Sequence, residues 1–154
     1  MFSITARLDV QISADDILAA YGLEKGGRVQ RFLDQKIIDD CTPYVPASPD
    51  RTLEFSAQVS TEIGSGKIIW NTPYAHYQYV GIVYGPNIPI IEPETGVLLG
   101  FFSPPGKKKH PTDKRLTYDT AQNPLAGAYW FERAKADHLN EWLDETRRVM
   151  IQGE

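Results

Sequence analysis

Seven of the eleven prolines fall between Pro86 and Pro124. Proline lacks the backbone N–H and clashes with the preceding turn, so it is excluded from helix interiors and from central strands. Pro86, Pro89, Pro93, Pro104, Pro105, Pro111 and Pro124 therefore forbid any long helix from Gly85 to Pro124. Irregular connections of that length are uncommon in compact domains and are usually functional. The stretch reads as an extended arm or flap, residues 85–123, within a single domain spanning 1–154. Val97 to Phe102 is the one short strand expected inside it.

Regular elements are confined to the flanks. Phe2, Ile4, Ala6, Leu8, Val10 and Ile12 alternate with Ser3, Thr5, Arg7, Asp9 and Gln11. Period 2 predicts a strand with one wet face. Ser13 is a candidate N-cap for a short helix to Tyr21, with Asp15 and Asp16 in its first turn and Gly22 after it. Beyond Gly26-Gly27, Val29, Phe32, Leu33, Ile37 and Cys41 form an apolar stripe at helical spacing, which Pro43 ends. Arg28 and Arg31 open this helix and Asp39 and Asp40 close it, the reverse of the dipole preference. The inverted pattern reads as surface drift or as charges kept for a partner.

Thr42 to Asp50 holds three prolines and is a connector. Phe55, Ala57 and Val59 alternate with Ser56, Gln58 and Ser60. With Gly64-Ser65-Gly66 as a turn and Lys67 to Trp70 returning, they predict a β-hairpin. Tyr74 to Tyr79 predicts a short helical turn. A last helix is expected from near Pro124, capped by Asn123, with Phe131, Ala134, His138, Trp142, Thr146 and Val149 on one stripe. The fold class that follows is α+β: a small antiparallel sheet, made of the N-terminal strand plus the hairpin, packed against two main helices, with a long proline-rich arm.

Composition narrows the function. Lys+Arg 16 against Asp+Glu 20 leaves a net charge of −4, which argues against a protein whose main task is coating nucleic acid. The single cysteine, Cys41, excludes an internal disulfide and a multi-cysteine zinc site. It falls on an apolar helix stripe, where free cysteine acts as a small hydrophobe. His138 reads as a satisfied core histidine and His76 as part of an aromatic cluster. Asp15-Asp16 and Asp39-Asp40 read as solvated helix ends. No spacing of metal ligands and no phosphate-binding glycine loop is present. Arg7 and Asp9 interrupt any export signal, so a cytoplasmic product is expected, with no membrane partner. No catalytic residue, cofactor or metal is expected.

The informative residues are aromatic and basic. Trp70, Tyr74, Tyr77, Tyr79 and Tyr84 crowd a short stretch around His76. Core packing claims Trp70. Tyrosine is enriched at protein interfaces, so Tyr74, His76, Tyr77, Tyr79 and Tyr84 are candidate interface residues. Leu98, Leu99, Phe101 and Phe102 of the arm join them, as do Lys107, Lys108 and Lys109. That last cluster, extended by His110, Lys114 and Arg115, reads as a solvated loop tip, as a contact to an acidic protein, or as an accessory nucleic-acid contact. A small hydrolase built on Cys41 or His76 is the enzymatic alternative.

The run Ile69-Trp70-Asn71-Thr72-Pro73-Tyr74-Ala75, followed by Tyr77-Gln78-Tyr79-Val80-Gly81, resembles the signature of small phage minor capsid proteins. These are similar to the tail-completion or head–tail joining proteins of tailed bacteriophages and prophages. Thr42 to Pro46 matches the stretch after that family's first long helix. Asn123 to Lys135, with its Trp130-Phe131-Glu132 core, matches the opening of its C-terminal helix. The motifs occur in the family's order from about Gly27 onward. The resemblance implies a virion structural protein, not an enzyme. It implies self-assembly into a ring, commonly a hexamer, between a head connector or adaptor and a tail tube or tail terminator. DNA would pass through the ring without specific binding.

Overall fold

The computed structural model describes residues 12–47 and 50–152. The N-terminal strand expected from Phe2 lies almost wholly outside those residues. The described chain runs through α1 (Ala14–Ala20), α2 (Arg28–Cys41), a 3-10 turn (Thr42–Tyr44), α3 (Thr52–Ser60) and α4 (Ala75–Val80). It continues through β1 (Ile82–Gly85), β2 (Ile88–Ile91), β3 (Leu98–Phe102) and β4 (His110–Arg115) to α5 (Trp130–Gln152). The class is α+β, with helices α2 and α5 packed together and two separate two-stranded antiparallel sheets, β1–β4 and β2–β3.

Helix α1 begins as its sequence predicts. Ser13 Oγ accepts the Asp16 N–H at 3.1 Å, and Asp16 Oδ2 accepts the Ser13 N–H at 3.0 Å, a reciprocal capping box. The Ser13 hydroxyl also donates to Asp16 Oδ2 at 2.7 Å, and this bond, followed by that from the Ser13 N–H, holds the Asp16 carboxyl below its usual range. The helix buries none of its residues.

Helix α2 buries Val29, Asp34, Ile38 and Cys41 against the core, while Leu33 and Ile37 sit half-buried on the adjoining face. Its reversed charges have partners. Arg28 Nη1 donates to the Val149 carbonyl at 2.6 Å, so a cation sits on the negative end of α5. Asp40 Oδ2 accepts from Trp142 Nε1 at 2.7 Å. Lys36 Nζ reaches Asp40 at 3.3 Å, Glu141 at 2.8 Å and Glu145 at 3.5 Å. The core closes around Trp130, Trp142, Ala134, Tyr44, Val45 and Leu53.

Three sequence expectations need correction. Thr52–Ser60 is a helix, not the first arm of a hairpin. Asp50, one residue before the N-cap Arg51, accepts the Thr52 N–H at 3.3 Å and the Thr52 hydroxyl at 2.5 Å. Leu53 and Ala57, four apart, face the core, whereas Phe55 is 55% and Val59 85% exposed. The apparent alternation paired one buried residue with two solvated ones. The returning segment, Lys67 to Trp70, is not a strand.

The second correction concerns residues 85–123, which hold ordered strands rather than one short one. Pro89 and Pro111 are accommodated because, among the described residues, every strand pairs on one edge only. The third is the start of α5. It begins at Trp130, and Asn123 does not cap it. Asn123 Nδ2 instead donates to Thr42 O at 3.1 Å, Val45 O at 2.8 Å and Glu54 Oε1 at 2.5 Å, pinning the segment before α5 to the connector and to α3.

Candidate functional site

An apolar groove of about 610 Å³ opens between α2, the segment 66–70, α4 and the start of α5. Leu33 and Ile37 form one wall, Trp130 and Phe131 another, and Ile68 and Trp70 the rim. The two aromatic motifs of the sequence meet here. The Trp70 and Trp130 rings lie edge-on at 5.8 Å, and Tyr79 packs edge-on against Trp130 at 4.6 Å. Trp130 is 1% exposed and is the core tryptophan, while Trp70 is only half-buried, contrary to its expected core role. Burial, and then the hydrogen bond to Glu132, push the Tyr79 phenol well above its ordinary range.

The polar end of the groove is Asp34, a buried carboxylate that the sequence reading did not single out. Its Oδ2 accepts the N–H of Gly64 at 2.8 Å and of Gly66 at 3.1 Å, and its Oδ1 accepts from Gln30 Nε2 at 2.7 Å. Gly64 has φ +99, and a Cβ there would sit 2.9 Å from the Gly26 Cα. A glycine is therefore required where this loop crosses the Gly26 backbone. The backbone groups of Ile68 and Trp70 take part in no hydrogen bond among the described residues.

The predicted aromatic and apolar interface residues separate into four places, apart from the three lysines. His76, Tyr77 and Tyr84 form one cluster, with ring centroids 4.8 Å apart for Tyr77 and Tyr84 and 5.8 Å for His76 and Tyr77. His76 also borders the groove. Tyr79 belongs to the groove wall. Tyr74 lines a separate cleft of about 160 Å³ with Leu53, Gln78 and Tyr118. Leu98, Leu99, Phe101 and Phe102 lie on β3, paired with β2 through Ile88↔Phe102, Pro89↔Phe101, Ile90↔Gly100 and Ile91↔Leu98.

This hairpin is apolar on both faces, and all four of those β3 side chains are exposed. Lys107 and Lys108 are exposed in the loop that leaves β3. Lys109 is tied down: its Nζ donates to the Pro86 carbonyl at 3.3 Å and to Asn87 Oδ1, which closes the base of the hairpin.

Other chemistry-bearing groups are internally committed. Cys41 is fully buried, and burial, with the nearby Asp40 and Glu132 carboxylates, pushes its thiol up to about 12. The groove lining contains no serine, threonine or cysteine. Asp40, His138 and Glu141 each offer one ligand atom within 4.8 Å of the others. The Lys36 ammonium already reaches two of the three, and His138 stacks on Trp142 at 6.3 Å while its Nε2 lies 3.3 Å from the Tyr44 hydroxyl. No helix among the described residues is long and apolar enough to cross a membrane.

Compared with protein-family models, curated proteins and solved structures, the chain gives no match.

Proposed function

We propose that this protein is a virion structural subunit of a tailed phage or prophage, of the minor capsid kind, made in the host cytoplasm. It assembles as a ring that completes the junction between head connector and tail. The observation that carries the reading is the β2–β3 hairpin. None of its nine strand residues is charged, both its faces are apolar, and neither outer edge is paired among the described residues. An isolated two-stranded hairpin is marginal in water, and an uncharged open edge invites another chain. Such a feature suits a protein whose working state is an assembly.

The packing of Trp70 and Tyr79 on Trp130 adds support, because it joins the two segments that carry the family resemblance. The hydrolase alternative draws less support, since both Asp34 oxygens are occupied and the groove lining offers no serine, threonine or cysteine nucleophile. The nucleic-acid alternative loses Lys109 to the hairpin base, leaving Lys107 and Lys108 as its free cations in that run.

Sedimentation velocity and negative-stain microscopy test the proposal, with the protein alone and mixed with the connector and tail-tube products of flanking genes. Closed rings, or a stable complex with either neighbour, are expected. A monomer at every concentration that binds neither neighbour overturns it.

A further inference from the structure

The β2–β3 hairpin has charges of opposite sign at its two ends and none between. At the tip, the turn from Glu92 to Val97 is closed by the Glu92 N–H on Val97 O and the Gly96 N–H on Glu92 O, both at 2.9 Å. That turn holds Glu92 and Glu94 and no cation, and the Thr95 hydroxyl donates to Glu92 Oε2. At the base, the loop leaving β3 holds Lys107 and Lys108, both exposed, besides Lys109, which is tied to Pro86 and Asn87. None of the nine strand residues between the two ends is charged. The side chains of Glu94, Lys107 and Lys108 make no hydrogen bond or ion pair among the described residues.

The two ends do not neutralise each other within one chain. At about 3.3 Å per residue, strands of four and five residues hold them roughly 13–17 Å apart, beyond the Debye length of about 10 Å in 0.1 M salt. A second hairpin laid antiparallel brings two carboxylates against two ammonium groups at both ends at once. Laid parallel, it sets like charge against like charge twice, which is repulsive. The antiparallel arrangement also presses one apolar face on its equal. Leu99 and Phe101 share a face of β3 and are each 63% exposed, with Pro89 opposite Phe101 on the same side.

We infer that the hairpin is a self-complementary contact between two copies of this chain, lying antiparallel, with Glu92 and Glu94 of each copy against Lys107 and Lys108 of the other. The acidic partner that the lysine run calls for is thus a second copy. The contact is isologous, the same patch on both copies, so it closes at two. It does not depend on the ring reading, because two hairpins pair whether or not each copy also sits in a ring.

Swapping charge between the two ends tests this. Glu92→Lys with Glu94→Lys reverses the tip, and Lys107→Glu with Lys108→Glu reverses the base. Circular dichroism checks that each variant folds. If either double variant misfolds, the single changes Glu94→Lys and Lys108→Glu, at exposed side chains, replace the pair. Sedimentation velocity is then run on wild type, on each variant alone and on their equimolar mixture. A wild-type dimer, its loss in each variant alone and its return in the mixture are expected. Variants that associate as wild type does overturn the hairpin contact, and rings that persist in both leave the ring reading standing. Loss of association in the base variant alone, with the tip variant unchanged, assigns the lysines to another acidic surface and overturns it. Wild type that stays monomeric overturns it as well.

Discussion

Asp34 Oδ2 accepts the backbone N–H of Gly64 at 2.8 Å, and this one bond sets where the polar end of the groove lies. With the second bond, to Gly66 at 3.1 Å, a buried carboxylate holds a glycine loop that has little packing of its own. Removing the acceptor leaves the buried Gly64 N–H and the part-buried Gly66 N–H without their partner. Hydrogen bonds to a charged group are worth about 1.5–3 kcal/mol each. Asp34→Ala is expected to lower stability by about 3 kcal/mol in urea unfolding. Asp34→Asn, which keeps one carbonyl oxygen, is expected to cost less. Equal losses for the two substitutions would show that side-chain volume, not the acceptor, holds the loop.

The two groove tryptophans should differ. Trp130 is fully buried and touches both Trp70 and Tyr79, so Trp130→Ala is expected to cost about 3–5 kcal/mol. Trp70 is half-buried at the rim, and Trp70→Ala should cost about half as much in the monomer. Urea melts of both variants at one low protein concentration make the comparison. A larger loss at Trp70 would place it in the core after all.

These differences mark what the sequence makes legible. The Val29, Leu33, Ile37, Cys41 stripe identifies α2 because a long amphipathic helix repeats its signal over several turns. Ser13 with Asp16 identifies α1 because a capping box is local. Phe55, Ala57 and Val59 mislead because only two of the four residues that this nine-residue helix buries, Leu53 and Ala57, are apolar, and the exposed Phe55 and Val59 imitate a strand. Prolines at 89 and 111 conceal strands because a two-stranded sheet leaves an outer edge where a missing N–H costs nothing. At the candidate site, Leu98 to Phe102 stands out as an apolar run. The groove does not, since Leu33, Ile68 and Trp130 lie far apart in the chain and meet only through tertiary packing.

Asn123 joins the segment before α5 to the connector and to α3. Its amide donates to two carbonyls and to Glu54, a carboxylate whose side chain is 3% exposed. The other Glu54 oxygen faces Arg51 Nε at 3.5 Å without hydrogen-bond geometry. Asn123→Ala is expected to destabilise by about 2–3 kcal/mol, because it strips a buried charge of its main donor. Asn123→Asp should be worse at neutral pH, where a second carboxylate would face Glu54 and two carbonyl oxygens. Thermal melts at pH 7 decide this, and an Asp variant as stable as Ala would refute it.

Tyr44 makes stability sensitive to alkali. Its hydroxyl donates to Asp137 Oδ2 at 2.6 Å, and this bond, followed by burial, pushes the phenol up to about 12. In the unfolded chain tyrosine ionises near 10. A folded-state value above the unfolded one means that the unfolded chain releases its proton first as pH rises. The contribution of Tyr44 is therefore fully present below about pH 10 and lost progressively toward about pH 12. Tyr79, raised by burial and by Glu132, acts in the same direction. The urea midpoint of the wild type should fall from pH 9 to pH 11. Tyr44→Phe, less stable at pH 9 because Asp137 loses its donor, should fall by less over the same interval. Parallel slopes for the two proteins would assign the alkaline loss to other groups.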